Sequence, residues 1–416
     1  MIKHVLRMIW NQRGTNAWIG AELLLISVVL WYVVDFMYAT SVLLASPTGF
    51  DIGHTYKVEF EKVDELSEAY LTPEQHRSTD AEDVQKALDR IRTYPGVESV
   101  SVSMWAMPYS LGNSWAPLIV DTLSAQSQIR CGTPDFFRVF RITNRHGQPI
   151  AINPGEELKS IVLTEDAARV LFNDKEAIGK EVKSPFGDSV FLKVADVTPP
   201  YRLTEYKKPN PGAFLLGSEQ DLLADEPASN LEICFRVAEG KDSSDFVRTF
   251  RKQMKEPLRI GNLYLMDIKP VRDIGIAFNR GRGDSNEVKE YGAIAFFLLV
   301  NIFLGILGTF WFRTQGRKGE MGLRVALGAT PSRLQQLLIT EGLVLLTIPF
   351  AVAMLVALNM TLMEIPSVDR MDLSVSRFLA TAVITYVTMA LVIVVGIWYP
   401  ARQVSKLAPA ESLHYE

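Results

Sequence analysis

The sequence predicts an α-helical membrane protein with four transmembrane helices, one before and three after a large α+β extracytoplasmic domain. Three observations carry that expectation. Apolar residues gather in four runs, Ala17–Val34, Ala293–Phe312, Leu334–Met363 and Phe378–Tyr399, each near or above the roughly 18 to 20 residues that cross a bilayer. The flanks of those runs alternate in Lys/Arg content, which sets one orientation. The long stretch between the first two runs alternates between strand-like and helix-like periodicity, as a folded domain does.

In residues 1–16, Ile2, Val5, Leu6 and Ile9 share one helical face, with Lys3, His4 and Arg7 on the other. This is the pattern of a cytoplasmic amphipathic helix lying in the inner interface. The first span is placed at 17–37. Its apolar run exceeds the roughly 7 to 15 residues of a signal-peptide core, and no small-x-small site directly follows, so it reads as a retained span. Lys3, Arg7 and Arg13 precede it without an acid, which puts the N-terminus in the cytoplasm. Glu22 falls about one and a half turns into the span, a costly place for a charge. It reads either as a pairing contact or as an acid snorkelling to the inner interface. Asp35 reads as the outer boundary of the span.

The extracytoplasmic core is placed at 38–290. Tyr56–Phe60 alternates as a strand. A helix from about Asp80 to Tyr94 carries Val84, Ala87, Leu88 and Ile91 on one face, with Thr79 or Asp80 as cap. Pro95-Gly96 ends it, and Val97–Met104 alternates as the next strand. The unit recurs as strand Leu231–Val237, helix Ser243–Met254 and strand Leu263–Ile268. Two β-α-β halves, about 56–130 and 216–270, therefore flank an inserted, mostly β subdomain at about 131–215. Within the insert, a strand over Ile161–Leu163 leads to a helix over Glu165–Phe172 capped by Thr164, then to strands at Glu181–Lys183 and Val190–Val197. Pro199, Pro200, Pro209 and Pro211 mark an irregular, exposed stretch where specificity is expected. Residues 271–290, rich in Gly and Arg, read as a solvated connector, or as headgroup or partner contacts through Arg280 and Arg282. Cys131 and Cys234 both fall in this domain; an oxidising compartment permits a disulfide, but their spacing leaves pairing open.

The second span, 291–312, carries Asn301, Gly305 and Gly308 as candidate packing residues, because small and hydrogen-bonding side chains bring membrane helices together. The loop 313–333 holds Arg313, Arg317, Lys318, Arg324 and Arg333 against one acid, Glu320, and so stays in the cytoplasm. Met321, Leu323, Val325, Ala326 and Leu327 give it a short apolar helical face. Gly328 ends that helix, and Thr330-Pro331 starts the next one as cap and first turn. A compact helix held between two spans is suited to receiving a push. The third span, 334–363, holds Glu341 near its inner end, either as a polar contact or as an interfacial acid, and Pro349 as a possible kink. A short outer loop at 364–377, a fourth span at 378–399 and a cytoplasmic tail at 400–416 complete the chain.

Several chemistries are excluded. With 43 basic against 47 acidic residues and a net charge of −4, nothing favours nucleic acid. No Walker A loop, no His-Glu-x-x-His and no Cys/His metal spacing occurs, and no nucleophile elbow is present. No span carries a charge at its middle, which argues against a channel or a midplane transporter. The chain reads as non-catalytic, without a cofactor or metal of its own.

The segment Arg317-Lys-Gly-Glu-Met-Gly-Leu-Arg-Val-Ala-Leu-Gly-Ala-Thr-Pro-Ser-Arg-Leu, followed by Glu341-Gly-Leu, is similar to the signature of MacB/FtsX-type ABC transporter permeases. The ending Pro400-Ala-Arg-Gln-Val-Ser-Lys-Leu-Ala-Pro-Ala-Glu-Ser-Leu resembles that family's C-terminus. Thr164-Glu-Asp-Ala-Ala-Arg-Val-Leu-Phe with Ala177-Ile-Gly-Lys resembles the periplasmic core domain of MacB-like members. The resemblance implies a permease subunit of the bacterial inner membrane, with both termini cytoplasmic, working as a homodimer or heterodimer with a cytosolic ABC ATPase. Arg317, Lys318, Glu320, Met321, Gly322, Leu323, Arg324, Leu327, Gly328 and Ala329 would form the segment coupled to that ATPase. MacB carries its ATPase on the same chain; here the ATPase, with its ATP and Mg, is expected on a partner. The work implied is mechanotransmission to the periplasmic domain for export or efflux of a peptide, toxic compound or lipid-linked molecule. A periplasmic adaptor and an outer-membrane channel are further partners of that reading. Lipoprotein release of the LolC/LolE kind and control of a cell-wall hydrolase, or sensing, are the alternatives.

Overall fold

The apolar run near the N-terminus becomes a single long helix, α1 (Arg13–Ala45). In the computed structural model, the described residues are 13–110, 114–153, 155–173, 175–184, 186, 190–316 and 318–405. They divide into two units, one formed by Ser46–Gly283 and one by the segments ending at Ala45 and starting at Asp284. The amphipathic helix expected over residues 1–16 lies almost wholly outside the described residues.

The Ser46–Gly283 unit is built on a ten-stranded sheet. Its first β-α-β unit is β1 (Thr55–Lys62), α2 (Asp80–Arg92) and β2 (Val97–Met104). Thr79 caps α2 through a capping box: its hydroxyl accepts from Glu82 N (3.3 Å), and the Glu82 carboxylate accepts from Thr79 N (2.9 Å). Next come β3 (Ser114–Val120), β4 (Leu123–Gly132), α3 (Asp135–Val139), β5 (Ser160–Thr164), α4 (Glu165–Phe172), β6 (Glu181–Lys183), β7 (Phe191–Thr198) and β8 (Gly212–Leu216). A short α5 (Glu219–Asp225) precedes the second unit, β9 (Glu232–Val237), α6 (Phe246–Met254) and β10 (Leu263–Pro270).

The two β-α-β units interleave. Their strands run β10-β1-β9-β2, all neighbours antiparallel, which is the split β-α-β arrangement. The inward residues of β1 (Tyr56, Val58 and Phe60) meet Val84, Ala87, Leu88 and Ile91 of α2 and Phe246, Phe250 and Met254 of α6 in one core. The other six strands, β4-β3-β6-β7-β5-β8, close into a small barrel because β8 also pairs with β4. That barrel has its own core, including Leu118, Ile129, Ile161, Leu163, Leu171, Val182, Val194 and Ala213. The inserted subdomain thus takes in the β3–β4 hairpin and starts at 114, not near 131. Strand periodicity alone could not assign that hairpin, since the choice is made by which core Leu118 and Ile129 enter.

Two further expectations are corrected. Thr164 precedes α4 but makes no side-chain cap; its hydroxyl accepts from Gly212 N (2.9 Å), tying β5 to β8. Residues 271–290 are not a solvated connector. Val271–Gly281 forms α7, with Val271, Gly275 and Asn279 buried. Val271, Ile274, Gly275 and Phe278 recur at helical spacing, a stripe masked in the sequence by the surrounding Gly and Arg. Arg280 lies in the last turn of α7 and Arg282 caps it.

The second unit continues with α8 (Asp284–Gly316), α9 (Lys318–Ala326), α10 (Pro331–Leu362) and α11 (Val375–Ser405). Four of its helices, α1, α8, α10 and α11, are long and apolar enough to cross a membrane. Ile19, Leu23, Ile26 and Leu30 of α1, Ile302, Ile306 and Phe310 of α8, Leu338 and Leu345 of α10 and Met389, Ile393 and Ile397 of α11 share a core, each set following helical spacing. Outward from it stand Phe296, Phe297, Leu304, Leu355, Val383 and Leu391, all exposed, an apolar surface suited to lipid and not to water. The fourth helix runs on through Pro400 to Ser405, so its end lies beyond the expected boundary at 399.

Close packing rests on glycines other than those expected. A Cβ on Gly342 would overlap Ile397 and come within 3.0 Å of Ile393, and one on Gly396 would lie 3.2 Å from Ile306. Gly308 has nothing within 4 Å, and Asn301 is exposed on α8. Gly305 instead makes room for a side chain: its Cβ would lie 3.2 Å from Glu22 Oε1. Gly342→Leu should therefore overpack the bundle by about 1–3 kcal/mol and lower the thermal unfolding midpoint of the solubilised protein. Gly308→Ala should leave that midpoint unchanged or slightly raised.

Candidate functional site

Three features of the chain are candidates for a functional role. The first is α9. Met321 turns into the helix core and is 1% exposed, while Leu323 and Leu327 stand out at 54% and 80%. These two leucines are four residues apart, on one helical face, and would cost hydration if left bare. Glu320 accepts an ion pair from Arg324 (2.7 Å) along the same helix. The end of α9 is sharply defined. Leu327 N donates to Leu323 O (3.0 Å) and Ala329 N to Arg324 O (2.9 Å) around Gly328, whose φ is +90°, a Schellman closure that only glycine adopts without strain. Thr330 then accepts from Arg333 N (3.4 Å) as N-cap of α10. Arg317 lies outside the described residues, as does the side chain of Lys318, and Gly322 falls within α9.

Of the two acids expected at the inner interface, Glu22 is half-buried beside Gly305. Glu341 is 2% exposed, within the bundle on α10.

The second feature is a polar clamp joining one end of α1 to the start of α11. Asp35 is not a mere span boundary: it is buried and receives a two-pronged ion pair from Arg377, Nε to Oδ1 at 2.9 Å and Nη2 to Oδ2 at 2.5 Å. The same guanidinium donates to the carbonyls of Met371 and Ser367, fixing the 363–374 loop. Beside it, buried Arg370 pairs with Glu287 of α8 (2.6 Å) and lies 4.4 Å over the ring of Phe36. Tyr291 stacks on Phe36, ring centroids 3.9 Å apart. Three helices, α1, α8 and α11, and the 363–374 loop are thereby cross-linked, the Asp35–Arg377 pair fully desolvated and the Arg370–Glu287 pair open to solvent on the Glu287 side. A buried pair of this kind is strong only while both partners are present. The sequence signal was an acid and an arginine at the ends of two different apolar runs.

The third feature is a cleft of about 680 Å³ in the Ser46–Gly283 unit. Its floor is the face of β1 and β10 opposite the α2/α6 core, where Lys57, Glu59 and Lys269 lie; one wall is α7 and another the segment after β2. Glu59 accepts from Lys57 (3.1 Å) and Lys269 (3.2 Å). Burial pushes its carboxyl up, but these two ammonium groups outweigh that and hold it below the usual range. In the wall after β2, Trp105 (φ +57°) and Tyr109 (φ +64°) occupy the left-handed region, at a cost of roughly 1–2 kcal/mol each. Buried Glu232 holds this strained turn: its Oε2 accepts from Ser103 Oγ (3.0 Å), Ala106 N (3.0 Å) and Met107 N (2.8 Å).

The Pro-rich 199–211 stretch braces the same turn. It is irregular, as expected, but not exposed. Tyr201, Arg202 and Thr204 are buried, the Tyr201 hydroxyl donates to Ala106 O (3.0 Å) and Glu205 accepts from Tyr109 and Asn279. Burial and the Glu205 carboxylate push the Tyr109 hydroxyl far up, so it remains a donor. Arg130, buried 4.4 Å over the Tyr201 ring, is pushed down to about 10 by desolvation. Cys131 and Cys234 are both free thiols; burial raises both, Cys131 to about 11. Among the described residues no group of His, Cys, Asp or Glu could hold a metal ion.

Residues 292–409 match the FtsX-like permease C-terminal family, a segment that contains α9, α10, α11 and most of α8. No curated protein matches the chain. Among solved structures, the extracellular domain of the ABC-type transporter YknZ from Gram-positive bacteria is similar at 12% identity and a TM-score of 0.30, over 51% of this chain and 100% of that one. The periplasmic region of MacB from Actinobacillus actinomycetemcomitans is similar at 12% identity and a TM-score of 0.32, over 54% of this chain and 94% of that one.

The clamp makes a direct prediction. Arg377→Ala leaves Asp35 buried without its partner and should cost about 3–5 kcal/mol, read as a lower unfolding midpoint. Replacing both partners with apolar residues, Asp35→Leu with Arg377→Met, should recover most of the loss, since a buried pair and an apolar pair are nearly equal in stability. An Arg377→Ala protein as stable as its parent would remove the clamp.

Proposed function

We propose that this chain, which carries an FtsX-like permease domain over 292–409, is the permease subunit of an ABC-type export system. In this reading α9 is the piece that a cytosolic ATPase grips. The ATPase, with its ATP and Mg, is in this reading a partner chain. The observation that carries the reading is the family match together with the shape of α9, which anchors Met321 inside the bundle and offers Leu323 and Leu327 outward. A helix so held cannot be displaced without moving the spans packed against Met321. Closure of the ATPase would therefore be passed along the bundle.

The Ser46–Gly283 domain lies, in this proposal, outside the cytoplasm, where it receives that motion. The basic content of the 313–333 loop and of the residues before α1 supports this orientation. The exposed apolar faces of the spans support a reading in which work is delivered outside the membrane and a substrate is moved there. A second permease copy, and an adaptor with an outer channel in a two-membrane cell, complete the assembly.

Reversing the α9 ion pair tests the proposal. In Glu320→Lys with Arg324→Glu, the helix keeps an internal pair but presents inverted charges. The variant should insert and fold as the parent does, yet lose at least tenfold in co-purified ATPase. Retention of the ATPase at parental amounts would count against α9 as the coupling element.

A further inference from the structure

The cleft has a ligand chemistry that the permease reading does not supply. Its lining combines the rings of Trp105, Tyr109 and Phe278 and the thioethers of Met104 and Met107 with four carboxylates, Glu59, Glu226, Glu232 and Asp273, against two ammonium groups, Lys57 and Lys269. The charges sort into used and unused. Glu59 is occupied by both lysines, and Glu232 by the turn it holds. Glu226 and Asp273 remain: among the described residues neither takes part in a salt bridge, and Glu226 accepts only from the Asn230 amide (3.0 Å). Both lysines are neutralised, so the excess charge of the lining is negative.

Aromatic faces attract cations through their quadrupoles, and thioethers adapt to irregular apolar bodies. Carboxylates beside such rings add a charge partner. The volume of about 680 Å³ falls within the range of small-molecule sites. The wall is also preformed: Trp105 and Tyr109 are held in left-handed backbone geometry by Glu232 and Glu205, and strain that is held in place in this way marks functional positions. We propose that this cleft binds a small amphipathic organic cation, its apolar body against Trp105, Met107 and Phe278 and its charge toward Asp273 and Glu226. This goes beyond the permease reading and does not depend on it.

The test uses the full chain in nanodiscs of zwitterionic phosphatidylcholine, with empty discs subtracted. Tetraphenylphosphonium and tetraphenylborate have nearly the same size and apolar surface and opposite charge. Equilibrium dialysis should give saturable binding of the cation, at least tenfold tighter than the anion. Glu226→Gln with Asp273→Asn, which alters only side chains at the cleft rim, should abolish that preference. Trp105→Gly removes the ring at a φ that glycine adopts freely, so the fold is kept and cation binding should fall at least tenfold. No saturable binding of the cation, equal binding of the anion, a double variant that still prefers the cation, or undiminished binding by Trp105→Gly would each overturn the proposal.

Discussion

A helix in hydrocarbon shows its surroundings mainly apolar side chains, and this constraint organises the second unit. The outward faces of α8, α10 and α11 carry Phe297, Leu304, Leu355 and Leu391. Charged side chains are driven to helix ends or sealed inside, while the uncharged Asn301 of α8 and Thr347 of α10 stay exposed. The buried Asp35–Arg377 pair is the strongest case. It lets α1, separated from α11 by most of the chain, be held by a directional contact where greasy packing alone would allow sliding. Trp31 adds a second such tie, its indole N–H donating to Thr381 Oγ1 (3.0 Å).

The same constraint explains why the four apolar helices were legible in sequence. Hydropathy reports lipid exposure directly, so the four spans emerge from composition. The end of α9 was legible for a different reason: Gly328 and Thr330-Pro331 act on their own backbone, and local rules suffice. The strands and helices of the two β-α-β units were readable for the same cause, as their alternation is fixed by the one core they share.

What could not be read depended on partners distant in sequence. Nothing near Asp35 announces Arg377, and nothing near the Pro-rich stretch announces that Tyr201 will brace Ala106. Prolines signal irregular backbone but not exposure, and here the irregular strap is packed. Helix α7 was hidden by glycines, one of which, Gly275, is required: a Cβ there would lie 2.8 Å from the Tyr109 ring. Gly305 and Gly308 look alike in sequence, yet one leaves space for Glu22 and the other meets nothing. The cleft assembles from four separate segments and has no sequence signature of its own.

Function in this account divides between the two units. In the proposed function the short helix α9 would take up force in the cytosol, the bundle would pass it on, and the sheet domain with its strained cleft would face the outside. Its central claim is that α9 is seated in an ATP-hydrolysing partner. The most direct test is a photo-crosslinking residue, p-benzoylphenylalanine, placed at Leu327 in cells, with the same residue at Trp115 of β3 as control. The account predicts one dominant crosslink from position 327 to an ATP-binding subunit and none from position 115. Crosslinks from 327 only to lipid, or to a protein without a nucleotide site, would contradict it.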